Sequence, residues 1–245
     1  MYFVTVTRRQ ILRRVAYVVG LAVLVVITSL AGGSRQAVAP PNDQPLTRAD
    51  SPDDRVALTF DVTWGKNELL KIVSTLEAQG VKATFFVGGT FLQWDADLVK
   101  QMSARGHEIG TLGQKIIDLS SLPDGEVTSN LLASQSALSK QLGGPVRFFR
   151  PPQGPATPGV VLAAREAKLT TVTHSLDAQD YLGQPASRIV QRVVKGARRG
   201  DIIRLSASDW APETSKALPE MIKGLKARGF KLVIISDLMP ATVVQ

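Results

Sequence analysis

The 245-residue chain has no cysteine. Disulfides, thiolate nucleophiles and Cys-ligated zinc are thereby excluded, while the compartment stays open. Histidine is almost as scarce. His107 and His174 are the only imidazoles that could serve a metal or a proton. No Gly-x-Gly-x-x-Gly follows the first candidate strand, where Asp61-Val-Thr-Trp-Gly65 stands instead, which weakens a dinucleotide-binding reading. Acidic residues are the minority, 21 against 29 Lys and Arg, for a formal net charge of +8. Such a surplus suits anionic surfaces such as wall polymers or lipid headgroups. No nucleic-acid motif accompanies it. It is strongest near the N-terminus, where Arg8, Arg9, Arg13, Arg14, Arg35 and Arg48 are read as lying outside the folded core.

What is present begins with a basic block and an apolar run over residues 15–31. The positive-inside rule places residues 1–14 in the cytoplasm. With the following glycines the run is long enough to span a bilayer, so residues 15–33 are read as a signal anchor. A cleaved signal peptide is the rival, with Ala37-Val-Ala39 as a small-residue cleavage site. Thr7-Arg-Arg is loosely similar to a twin-arginine signal, but an ordinary topogenic cluster explains it as well. Either way the C-terminal part is expected outside the cytoplasm, held to the cell membrane or secreted. Residues 34–54, rich in Gly, Pro, Asp, Asn and Gln, read as a linker, and 239–245 as a tail.

From residue 55 the rhythm changes. Short β-rich runs at 56–61, 83–87, 108–112, 147–150, 170–176, 201–205 and 231–235 alternate with amphipathic stretches at 67–79, 91–104, 127–142, 158–167, 185–197 and 212–227. Gly80, Gly106, Gly143 and Gly229 sit where helices should end, and Pro158, Pro185 and Pro212 where they should start. The alternation predicts a parallel sheet with right-handed crossovers, closed into a barrel or open and doubly wound.

In a parallel barrel the chemistry gathers beyond the strand C-termini. Three strongly polar residues fall there: Asp61, Arg150 and Asp177. They could form an ion-paired chain, because the guanidinium fork holds carboxylates well. The chain could equally be a structural tie across the barrel top.

At these residues a family resemblance emerges. Ala57-Leu-Thr-Phe-Asp-Val-Thr-Trp-Gly65, Val81-Lys-Ala-Thr-Phe-Phe-Val87, Gly106-His-Glu-Ile-Gly110, Phe149-Arg-Pro-Pro-Gln-Gly154 and Gly200-Asp-Ile-Ile-Arg-Leu-Ser-Ala-Ser-Asp209 occur in order. Over residues 55–238 they resemble the NodB-type polysaccharide deacetylases, carbohydrate esterases of the family 4 kind, and within them the sporulation PdaB-type subgroup. The resemblance implies a distorted (β/α)7 barrel, here preceded by the N-terminal transmembrane helix. It places Asp61 as catalytic base, Arg150 as its orienting partner and Asp177 as the supporting acid. Tyr181 stands where a tryptophan usually lines the acetyl pocket.

The departures from the family concern the metal. Relatives use zinc or another divalent cation. Their ligand positions fall here on Val62, Leu112 and Ile116, and their catalytic histidine on Ser206. Arg204 replaces a pocket leucine. Hydrocarbon side chains offer no donor atoms, and a serine hydroxyl is too weak an acid to protonate a leaving amine. No cofactor is therefore expected.

His107 is expected at the barrel bottom as a structural hydrogen-bonder, and His174 in the core. A substitute triad of Asp61, His174 and Asp177 is the weaker alternative. Trp64 and Trp210 follow strand ends, where they either stack on sugar or cap the barrel, while Trp94 is read as packing. The leading expectation is a membrane-anchored, extracytoplasmic deacetylase homologue that binds cell-wall glycan without a competent metal centre, in sporulation or envelope assembly. The rivals are an active enzyme removing N-acetyl groups from peptidoglycan or chito-oligosaccharide, and a non-catalytic envelope scaffold.

Overall fold

A computed structural model describes residues 44–51 and 53–239, within a unit spanning Asp43–Gln245. The other unit, Met1–Asn42, lies outside the described residues, and with it the expected anchor and cleavage site. No helix among the described residues is long and apolar enough to cross a membrane.

The elements are β1 (Arg55–Val62), α1 (Asn67–Ala78), β2 (Thr84–Val87), α2 (Gly89–Trp94), α3 (Ala96–Ala104), β3 (Glu108–Thr111), α4 (Asp124–Leu142), β4 (Phe148–Phe149), α5 (Pro158–Glu166), β5 (Thr170–Thr171), β6 (Leu176–Asp177), α6 (Ala186–Gly196), β7 (Ile202–Ser206), α7 (Glu213–Ala227), β8 (Lys231–Val233) and α8 (Ile235–Leu238). Every strand pairing is parallel, in the order β5-β4-β3-β2-β1-β7-β6, with β8 alongside the start of β1. The sheet curls into a half-barrel with helices outside it.

Two predicted elements are split. The run at 170–176 becomes β5 and β6, because the backbone between them bonds elsewhere. Thr173 N–H donates to the Leu46 carbonyl at 2.9 Å and Ser175 N–H to that of Ile202 at 3.1 Å. One end of this run pairs with β4 and the other with β7, so it carries both edges of the curl. The helix predicted at 91–104 breaks at Asp95, which leaves helical dihedrals (φ −147°, ψ 63°) and caps α3 by accepting from Leu98 N–H.

The linker reading of 34–54 does not hold for its last part. Leu46 bridges Val172, and Ala49 N–H bonds the Gly200 carbonyl. Arg48, expected outside the core, grips buried Asp201 at 2.7 Å.

Strand parity sorts the core. On β1, Val56, Leu58, Phe60 and Val62 face the helices, where Phe60 stacks on Phe85 with centroids 5.2 Å apart. The alternate residues Ala57, Thr59 and Asp61 face inward. Ala57 joins Phe86, Leu112, Phe148 and Ile202 in a second apolar cluster. His107 is buried at the strand N-terminal end. Its Nδ1 accepts from Ala83 N–H at 3.2 Å and its ring meets the edge of Phe85. Burial, with Lys82 nearby, pushes its pKa down to about 4.

Candidate functional site

The inward parity of β1 carries Asp61 to the C-terminal mouth of the curl, and both of its oxygens are taken. Arg150 Nη1 donates to Oδ1 at 2.9 Å, and Arg204 Nε to Oδ2 at 2.8 Å. Arg150 is almost wholly buried, and its Nη2 bonds Thr59 Oγ1 at 2.8 Å and the Thr173 carbonyl at 3.0 Å. Its guanidinium also lies over the Phe86 ring, 4.1 Å from the centroid. Burial depresses its pKa, and the Asp61 carboxylate resists that shift.

Arg204 sits next to Arg150 in this arrangement. It lies opposite Thr59 on the neighbouring strand, one inward position below Asp61. Besides Asp61 it reaches Asp177 at 3.8 Å. Desolvation works against its charge, yet the carboxylates of Asp61 and Asp177 outweigh that and hold its pKa above the ordinary value. The ion-paired chain therefore runs Arg150–Asp61–Arg204–Asp177. In the expected order Arg150 stood between the two acids. Among the described residues Arg150 makes no ion pair with Asp177. Arg204, first read only as a lost leucine, supplies that link.

Asp177 anchors the far side. Its Oδ1 accepts from Gln179 N–H at 2.8 Å, and the Tyr181 hydroxyl approaches Oδ2 at 3.4 Å. His174 Nε2 lies 3.7 Å from the same oxygen, and burial lowers its pKa, so the imidazole is neutral at pH 7. That distance is too long for a hydrogen bond, and among the described residues none joins His174 to Asp61, so the substitute triad is not assembled.

Beside this network lies a cavity of about 520 Å³, lined among others by Asp61, Leu112, Ile116, Tyr181, Arg204 and Trp210. Ser206, where the resemblance led us to expect a histidine in relatives, also lines it, and its N–H donates to buried Asp180 at 2.7 Å. Asp180 also accepts from Thr214 Oγ1 at 2.7 Å, and burial raises its pKa. Sequence reading missed Asp180, whose one signal was its place in the loop after β6. Leu112 and Ile116 present hydrocarbon to the cavity, whereas Val62 turns away into the helix-side core.

This donor set does not fit a divalent cation. Zinc takes about three protein donors. Among the described residues no three His, Cys, Asp or Glu side chains converge to hold one. The nearest carboxylate is already held by two guanidinium groups.

The rim is aromatic. Trp210 lines the cavity and is 53% exposed, and the face of Tyr181 lies 5.7 Å from the Arg204 guanidinium. Trp64 is 58% exposed at the end of the β1 loop, next to Thr63, which lines the cavity. Trp94 departs from its packing assignment: it is 53% exposed and meets the Trp64 ring edge-to-face, centroids 4.6 Å apart.

The sequence model of the polysaccharide deacetylase family matches residues 48–172, and the chain belongs to that family. It is 31% identical over 187 residues to a peptidoglycan-N-acetylglucosamine deacetylase of Bacillus cereus, covering 75% of this chain and 87% of that protein. It is 28% identical over 200 residues to the Bacillus subtilis protein YlxY, covering 81% of this chain but 61% of the relative. Among solved structures it superposes on a CE4 family pseudoenzyme from Bacillus anthracis with a TM-score of 0.75 and 26% identity, over 80% of this chain and 69% of that one. A mutant of that pseudoenzyme, described as having restored enzymatic activity, superposes equally well at 27% identity.

Proposed function

We propose that this protein is a polysaccharide deacetylase homologue that has exchanged hydrolysis for recognition: it holds cell-wall glycan at the mouth of its barrel without cleaving it. The observation that carries this reading is the double clasp on Asp61. A general base must orient a lone pair toward its water, and two guanidinium clasps fix the orientation of this carboxylate. Here each carboxylate oxygen accepts from a guanidinium, at 2.9 and 2.8 Å. Leu112 and Ile116 give the cavity no means to hold a Lewis acid, and Ser206 no means to protonate a leaving amine.

What remains suits binding. Arg204 borders the cavity with polar N–H groups, and Tyr181 and Trp210 offer flat faces beside them, a combination that matches the mixed polar and apolar faces of a sugar ring. The similarity to a CE4 pseudoenzyme, and to relatives named for peptidoglycan, supports the choice of ligand. Anchoring through residues 15–33, an extracytoplasmic site of action and a sporulation role akin to the PdaB-type subgroup belong to the same proposal.

The test is to incubate the purified chain with zinc, remove the free ion, measure bound metal by mass spectrometry, and assay amine release from N-acetylglucosamine oligomers and peptidoglycan. We expect well under one zinc per chain, no amine, and glycan binding that Trp210→Ala weakens. One zinc per chain together with amine release lost in Asp61→Asn would establish the enzymatic reading instead. Absence of any glycan binding would favour the scaffold.

A further inference from the structure

The chain has three tryptophans, and each leaves more than half its surface in solvent. Large aromatic side chains usually contribute to a core, so this distribution is unusual for a domain of this size. Trp210 belongs to the cavity already described. Trp64 and Trp94 do not line it. They form a pair of their own, with planes at 82°.

The pair is braced from both sides. Lys66, two residues after Trp64, pairs with Asp95, the residue after Trp94, at 2.9 Å. That bridge ties the loop after β1 to the end of α2. The Lys66 hydrogen bond is the chief reason the Asp95 carboxyl is held below its usual pKa. On the other side Asp209 N–H donates to the Trp64 carbonyl at 3.0 Å, and Ser208 Oγ bonds Thr63 Oγ1 at 2.7 Å. Those contacts fasten the Trp64 loop to the loop that carries Trp210. Gly65 completes the turn with φ +72°, where a Cβ would lie 2.3 Å from the Asp209 carboxylate. An exposed ring pair so constrained has little side-chain and loop entropy left to lose on binding.

We infer that Trp64 and Trp94 form a second sugar-stacking site, continuous with the cavity through Thr63 and the tethered Trp210 loop, which holds a further residue of a β-linked N-acetylhexosamine chain. This rests on the glycan-binding reading above and adds that affinity depends on chain length. The occupant is argued from continuity with a cavity whose rim is itself aromatic. It is argued also from ring geometry: the edge-to-face contact occupies one surface of the pair and leaves flat apolar area open to solvent.

The test compares binding of the N-acetylglucosamine hexamer and dimer to the full chain by calorimetry and tryptophan fluorescence. In the wild type the hexamer is expected to bind about tenfold more tightly than the dimer, the scale of one aromatic anchor. Trp94→Ala is expected to remove that difference and leave dimer affinity unchanged, while Trp94→Tyr, which keeps a flat ring, retains much of it. Trp210→Ala should weaken both ligands. Hexamer binding unaltered in Trp94→Ala overturns the second site and leaves the cavity reading standing. Failure of both oligomers to bind any form overturns the two together. A Trp94→Ala variant that keeps its glycan affinities but loses binding to phosphatidylglycerol vesicles makes the pair a membrane contact and overturns the inference.

Discussion

Replacing Asp61 by asparagine separates a catalytic carboxylate from a structural one. The side chain keeps its shape but loses its charge and one acceptor. Its amide nitrogen then points hydrogens at one of the two guanidinium groups, so a donor meets a donor. Arg150 and Asp61 are nearly shut off from water, with side chains 3% and 10% exposed. Arg204, at 31%, keeps partial access to solvent and part of its own screening. The uncompensated charge is thus mainly that of Arg150, and removing one partner of a buried pair costs about 3–5 kcal/mol. Two charge-assisted hydrogen bonds at roughly 1.5–3 kcal/mol each give the same scale. For a domain of this size the melting temperature should fall by about 6–20 °C. Urea unfolding at pH 7, read by circular dichroism, measures the loss directly. Adding Arg204→Leu to Asp61→Asn should recover part of it, because the second guanidinium then no longer repels the first. In a site where Asp61 worked as a base held for chemistry, removing its charge would be neutral or stabilising, since such sites trade stability for function. A loss below about 1 kcal/mol would refute the double clasp as a structural element.

Two further perturbations address the ends of the barrel. Buried His107, with its pKa pushed down to about 4, stays neutral in the folded state while the unfolded chain binds a proton near the ordinary imidazole value of 6.5. Stability should therefore be highest above pH 6.5 and fall by roughly 2–3 kcal/mol as pH drops toward 4. Glu108 and Asp180, whose carboxyls burial pushes upward, act in the opposite sense at the acid end. The difference between wild type and His107→Gln across pH 4–7 isolates the imidazole, and equal slopes would remove it as the cause. Gly65→Ala should cost about 1–3 kcal/mol, because φ is positive there and the new Cβ would displace the Asp209 carboxylate that accepts from Glu68 N–H at 2.9 Å. Its tryptophan emission should shift as the Trp64 loop moves, and an unchanged spectrum at unchanged stability would contradict the tight turn.

The strands of the barrel were legible because each is a short β-rich run next to a helix of clear periodicity. Strand 202–206 shows the limit of that reading. Ile-Ile-Arg-Leu-Ser announces a buried strand, but the charge in its middle was counted as a missing leucine. A guanidinium at an inward position demands a partner. The partner was available in the sequence as Asp61, the one acid at the end of the adjacent strand. Register alone joins them, with Thr59 beside Arg204 and Asp61 beside Ser206, and register is not written in composition. Leu46 and Arg48 escaped for a related reason. A residue that contributes one bridge to a sheet leaves no period to detect. Trp94 ends α2 just before the break at Asp95, and helical periodicity over 91–104 carries no signal for its contact with Trp64 across the loop after β1.

The arginine clasp also gives the apolar substitutions a common electrostatic logic. A divalent ion in a deacetylase site does more than polarise a carbonyl: it balances acids gathered at the strand ends. With hydrocarbon at Leu112 and Ile116, the network of Asp61 and Asp177 would have Arg150 alone bonded to Asp61. Arg204 supplies the missing positive charge from the protein itself. Arg204 donates from Nε to Asp61 at 2.8 Å and sets Nη1 3.8 Å from Asp177, so one planar group places its charge between both carboxylates. The same guanidinium borders the cavity, so the group that restores charge balance also changes what the cavity can recognise. A built-in cation fixed to its carboxylates cannot activate water, but it can still donate to a sugar oxygen. On the proposed reading the barrel mouth keeps its charge balance while giving up the hydrolytic step.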